Sequence, residues 1–251
     1  MPIKPIIIWL VAFVGHHQLT LAQGTSQKVI VADSLTEYGK VMLKNSKYDS
    51  AIMLLSQALI LNVSNNQDLE AGKNQNDIGV AYHNLRKYDS AIAYYSKAKT
   101  VFLEKNDSLT LPITLANLGM LYKRNGKYER ALENLFNALR YDLDIGAKAS
   151  TLNTIGSTYT QTGQYEQAVE YYLQSIRLYE ELGDQRRLGI AFNNLGNVFN
   201  KLEVVDSAIS YLDRAASIKR SVGDEKGTAR TLNNLGLVYL DLNELDKASN
   251  A

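Results

Sequence analysis

Six glycines lie on a nearly even ruler along this chain: Gly39, Gly79, Gly119, Gly156, Gly196 and Gly236, spaced by 40, 40, 37, 40 and 40 residues. Each follows an apolar or aromatic residue and precedes an aromatic or Met by three positions, and nine residues after that aromatic or Met stands an alanine. Self-similarity at a fixed period of this size marks a stacked array, in which each unit packs on its neighbours and no single central core exists. The ruler therefore constrains the fold class before any site is sought.

With the glycine counted as position 8, position 7 is Tyr38, Ile78, Leu118, Ile155, Leu195 and Leu235, and position 11 is Met42, Tyr82, Tyr122, Tyr159, Phe199 and Tyr239. Position 20 is alanine throughout: Ala51, Ala91, Ala131, Ala168, Ala208 and Ala248. Position 24 is large (Leu55, Tyr95, Leu135, Tyr172, Leu212) and position 27 small (Ala58, Ala98, Ala138, Ser175, Ala215). At about 100° per residue, positions 4, 7, 8 and 11 share one side of a helix, and the glycine lets a neighbouring backbone approach. Turn formers at Asn45-Ser46, Asn125-Gly126, Thr162-Gly163 and Asn243 sit between two helical stretches, A and B, in four of the units. Gly183-Asp184 and Gly223-Asp224 each set a helix stop beside an N-cap residue, which predicts helix A of the fifth unit over 185–201. Pro112 predicts that the third A helix begins or kinks there.

This set of recurring positions resembles the tetratricopeptide repeat over residues 33–251. The resemblance implies an all-α fold, a right-handed α-solenoid of antiparallel helix pairs with a concave groove. The units run 33–71, 72–111, 112–148, 149–188, 189–228 and 229–251, the last incomplete. The usual unit is about 34 residues, so a spacing of 40 adds roughly 9 Å of helix, shared between the end of B and the start of the next A. Units this long are similar to those of kinesin light chains and bacterial peptide-pheromone receptors.

The first 22 residues differ in kind. Lys4, the apolar run from Ile6 to Val14 and the small residue Ala22 read as a secretory signal peptide over 1–22, cut after Ala22. The run is short of the roughly 20 residues that cross a bilayer, so a retained anchor is the weaker alternative and no membrane span remains after cleavage. The expected location is periplasmic or extracellular. Zero cysteines exclude disulfides and thiolate metal sites. Cleavage removes Lys4 and no acid, leaving 26 basic and 26 acidic residues, a balance that argues against a nucleic-acid binder.

Positions 2, 5, 9, 12 and 13 of helix A point largely away from the packed side, and in the resembling family this face lines the groove. Seven basic residues stand there (Lys40, Lys44, Lys73, Lys123, Arg124, Lys201, Arg230) against two acids, Asp33 and Asp241. Such a groove would attract acidic partners. An asparagine ladder runs through the same helices: Asn76, Asn117, Asn153, Asn193, Asn194, Asn197, Asn233 and Asn234. Asn carries a donor and an acceptor and is a mediocre helix former, so its repeated use asks for a reason. In the resembling long-repeat families asparagines on this face grip peptide backbone. That makes Asn153, Asn193, Asn197 and Asn233 the expected central contacts, with Asn76, Lys123, Arg124, Lys201 and Arg230 beside them. The other use of position 6 (Asn117, Asn194, Asn234) is to bridge neighbouring helices. Position 5 is never basic, which excludes the two-carboxylate clamp of chaperone-binding relatives. Tyr48, Tyr88, Tyr128 and Tyr165 are expected to pack at the turn into helix B.

No catalytic constellation stands out, and no cofactor or metal site is expected. His83 is the sole histidine after residue 22, with no second histidine or cysteine to share a metal. There is no phosphate-cradling glycine loop or nucleophile elbow. The expectation is a non-enzymatic, exported interaction scaffold that holds an extended peptide or partner protein. The alternative is the N-terminal sensory region of a larger signalling protein such as a sensor histidine kinase, to which the incomplete sixth unit points. A homodimer through the uncapped C-terminal end would cover the same surface.

Overall fold

The computed structural model describes residues 25–249, with side chains from 27 to 241. The signal-peptide reading of residues 1–22 lies outside the described residues. Every described element is a helix: α1 Thr25–Lys44, α2 Tyr48–Ser64, α3 Asp68–Asn84, α4 Tyr88–Glu104, α5 Leu111–Arg124, α6 Tyr128–Leu139, α7 Ile145–Gln161, α8 Tyr165–Leu182, α9 Gln185–Lys201, α10 Val205–Ser221 and α11 Glu225–Ser249. Odd-numbered helices are the A helices, even-numbered ones the B helices. The architecture is an all-α helical-repeat solenoid, divided into two compact bodies at Arg86 and Lys87.

The repeat positions explain the packing. Alanine at position 20 and the small residue at position 27 are fully buried in each of the first five units, and the large residue at position 24 is at most 2% exposed. The glycines make room for that large residue. A Cβ at Gly119 would lie 2.5 Å from Leu135 Cγ and 3.0 Å from the Ala131 carbonyl; at Gly196 it would lie 2.7 Å from Leu212 Cγ. Among the described residues, nothing lies within 4 Å of a Cβ at Gly236.

In the body ending at Arg86, α1, α2 and α3 pack in succession, with Leu35, Leu54 and Ala58 clustered between α1 and α2. In the other body α4 to α11 do the same, and one apolar cluster from Ala149 to Ala215 runs through α7, α8, α9 and α10. Aromatics fill its flank: Tyr211 stacks on Phe199 at 5.4 Å and on Phe192 at 5.8 Å, and Tyr159 on Tyr171 at 5.5 Å. Tyr48, Tyr88, Tyr128 and Tyr165 are half-buried.

The turns are as regular as the helices. A residue at positive φ ends most helices, supplied by Gly126, Gly163, Gly183 and Gly223 and, without glycine's freedom, by Ser46, Asn66, Arg86, Asn106 and Glu203. The following N–H then closes on a carbonyl five residues back, as from Lys127 to Tyr122 (2.9 Å) and from Gln164 to Tyr159 (2.9 Å). Asp184 and Asp224 cap the next helices, accepting from Arg187 N at 3.0 Å and Gly227 N at 2.9 Å. Helix α9 spans the expected 185–201, and α5 begins at Leu111 with Pro112 in its first turn. The 37-residue interval arises because α6 stops at Leu139 and the chain enters α7 through the Asp144 cap, which accepts from Ala147 N at 2.9 Å.

One turn differs from expectation. α11 runs through Asn243 to Ser249 without a break, so among the described residues no separate helix B of the sixth unit is formed.

Candidate binding face of the A helices

In the body from Lys87 onward, successive A helices α5, α7, α9 and α11 touch one another, which sets their outward positions side by side. Position 5 of a unit, position 3 of the next A helix and position 31 of the intervening B helix meet at the junction. At the α9–α10–α11 junction these are Asn193, Thr231 and Lys219. Lys219 is 1% exposed and donates from Nζ to Thr231 Oγ1 at 2.7 Å. The Thr231 hydroxyl lies 2.9 Å from Asn193 Oδ1, with the Gly227 carbonyl at 3.0 Å as its alternative acceptor. Asn234 Nδ2 donates to the same Asn193 oxygen at 3.2 Å. Burial pushes the Lys219 amine down to about 8; Arg230 adds to this and Asp224 opposes it.

The body ending at Arg86 builds the same device from other residues. Asn74 Nδ2 donates to Thr36 Oγ1 at 2.8 Å, and Asn62 Nδ2 donates to Asn74 Oδ1 at 2.8 Å. Polar side chains at these three positions therefore fasten one unit to the next. Asn153, also at position 5, breaks the series because position 3 of the following helix is Ala191. Its Oδ1 is buried and has no hydrogen-bond partner.

The sequence-selected residues separate on this basis. Asn193 is 6% exposed and its carbonyl is taken by α11, so it is not an open groove residue. Asn76 is 8% exposed, with Nδ2 3.3 Å from Asp77 Oδ1. Asn153 and Asn197 are half-buried, and Asn233, Lys201 and Arg230 are exposed. Arg124 is exposed too, its guanidinium 4.3 Å over the Tyr88 ring. Lys123 Nζ reaches across to Ser157 Oγ at 3.1 Å. Of the position-6 asparagines, Asn234 bridges neighbouring helices in the way the alternative reading describes.

Charge along the face is uneven. Lys40 pairs with Glu37 at 2.9 Å and Lys73 with Glu70 at 2.7 Å, each with an acid of its own helix. The bond to Glu37 raises the Lys40 amine, while burial raises the Asp77 carboxyl. Lys123, Arg124, Lys201 and Arg230 carry four positive charges in the other body, and burial lowers the Lys123 amine with Arg124 adding to the effect. The positive potential of the face thus belongs mainly to α5, α9 and α11.

Lys219 was not among the expected functional or structural residues. Its signal was available: position 31 holds Asn62, Phe102 and Tyr179 in other units, and an amine among those residues needs a buried partner.

A family model described as Tetratricopeptide repeat matches residues 70–143 and 187–251, and a second one of the same description matches 149–182. No curated protein sequence matches the chain significantly. Among solved structures, the kinesin light chain TPR-like repeats of Podosopora anserina are 16% identical over 77% of this chain and 96% of theirs, with a TM-score of 0.63. Aspartyl phosphate phosphatase F of Bacillus subtilis is 18% identical over 90% of this chain and 60% of its own, with a TM-score of 0.69. A Rap protein complexed with Competence and Sporulation Factor is 16% identical over 97% of this chain and 70% of its own, with a TM-score of 0.64. At these identities the likeness is one of fold.

Proposed function

Because the chain belongs to the tetratricopeptide repeat family, we propose that it is an exported, non-enzymatic scaffold that holds a protein or extended peptide on the A-helix face of residues 87–249. The observation that supports this reading is the division of labour among side chains. The repeat-defining residues are spent on packing, whereas Asn197, Asn233, Lys201 and Arg230 leave amide and cationic groups accessible along α9 and α11. A row of amides can pair with the backbone of an extended segment without reading its side chains, and the cations favour an acidic one.

Affinity capture with the secreted full-length protein, followed by identification of what co-purifies, tests the reading. The partner should be lost when Asn197, Asn233, Lys201 and Arg230 are all changed to Ala, with helicity retained. Capture unaffected by the fourfold change would place the binding surface elsewhere. Export is read from residues 1–22 alone and predicts a secreted form without Trp9, the sole tryptophan. Tryptophan emission from secreted material would contradict it.

A further inference from the structure

We propose that the exposed face of α2 pairs with the same face of a second copy of this chain, antiparallel and about a two-fold axis level with Ala58. The pairing is independent of the partner proposed for the A-helix face, because it uses a B helix in the body ending at Arg86.

Three observations carry it. Met53, Ile60 and Val63 are 45%, 68% and 58% exposed, and with Ser56 they follow one another at i, i+3, i+7 and i+10, along one side of the helix over about 15 Å. The same repeat positions, 22, 29 and 32, are also exposed in later units, but there they hold Glu170, Arg177 and Glu180 on α8 and Ser210, Ser217 and Arg220 on α10. The fold therefore does not require an apolar side chain at these positions, and a contiguous stripe of them marks a contact surface. Next, Asp49 in the first turn is the sole charged residue among the 17 of α2, so covering the stripe takes no ion out of water. Finally, the stripe is complementary to itself. About an axis level with Ala58, Met53 meets the partner's Val63 and Ser56 meets the partner's Ile60, which sets a small side chain opposite a branched one in both central contacts. A parallel pair would instead set Ile60 on Ile60 and Asp49 on Asp49. One helix pair buries less than the ~800 Å² a side of a standard interface, so the association is weak, with a dissociation constant on the order of 100 µM.

Sedimentation equilibrium of the full-length chain from about 10 µM to about 1 mM tests the pairing and should show monomer passing into dimer. Ile60→Lys should weaken the association about tenfold or more, whereas Arg177→Ala, at the same position of the fourth unit, should leave it unchanged. Because the chain has no cysteine, the orientation can be read from introduced ones. Met53→Cys and Val63→Cys variants, mixed and oxidised, should give a mixed disulfide dimer in excess of what either variant gives alone. A monomer at every concentration overturns the pairing and leaves the stripe to another occupant. A dimer that Ile60→Lys leaves intact overturns it, as does a disulfide formed as readily by Met53→Cys alone as by the mixture. If Ile60→Lys loses helicity, Ile60→Ser and the disulfide pattern still decide.

Discussion

Asn193 and Thr231, 38 residues apart in sequence, share a hydrogen bond of 2.9 Å inside a junction where Lys219 is also sealed. An asparagine selected for its place on a groove face thus acts as a fastener between α9 and α11. The same positions are joined through Thr36 and Asn74 in the body ending at Arg86. Repetition in this chain extends beyond apolar packing to a polar bond between units.

Asn193→Ala should destabilise the protein by about 1–3 kcal/mol, because Thr231 and Asn234 lose a buried acceptor. Asn233→Ala, at an exposed site, should leave stability within about 0.5 kcal/mol. Urea unfolding of the two variants checks both. Equal effects would mean that the junction bond carries no net stability.

Lys219→Met should raise stability at pH 7 by about 1 kcal/mol or more, since an apolar side chain of similar length escapes the desolvation that the buried amine suffers. The amine's folded value, about 8, lies below its value of 10.5 outside the fold. Folding therefore disfavours its proton: the cost is full below pH 8 and fades as pH rises from 8 to 10.5. Melting of both forms across that window should show the original protein closing its deficit against Lys219→Met. A constant gap would mean that Lys219 titrates as an exposed lysine.

Gly196→Leu should cost about 1–3 kcal/mol by overpacking, because even a Cβ would sit 2.7 Å from Leu212 Cγ. The same change at Gly236, where no described residue lies within 4 Å, should be neutral or stabilising as a helix-interior glycine is replaced. Thermal melts of the two variants give the comparison. A melting point unchanged by Gly196→Leu would misplace the crossing.

Much of this fold was legible because the information is local and periodic. The Gly183-Asp184 pair marks the start of α9, Pro112 falls in the first turn of α5, and the alanines at position 20 in the first five units are all fully buried. The face of Asn193 was legible too, but its fate was not. Whether an asparagine at position 5 meets a ligand or a neighbour depends on position 3 of the next helix, some 38 residues away: Thr231 engages Asn193, whereas Ala191 leaves Asn153 unmatched. Likewise, the Lys123–Ser157 bond joins separate units and has no signature within either. Asn243 shows the converse, a turn former that lies inside the continuous helix α11.

The central claim, that a partner lies along the A helices of the body from Lys87 onward, is tested most directly by photo-crosslinking from defined positions. A photoreactive residue replaces Asn197 or Asn233 on the A helices, or the exposed Glu170 on B helix α8. The partner should be captured from Asn197 and Asn233 and not from Glu170. Capture from Glu170 with none from the A-helix positions would contradict the claim.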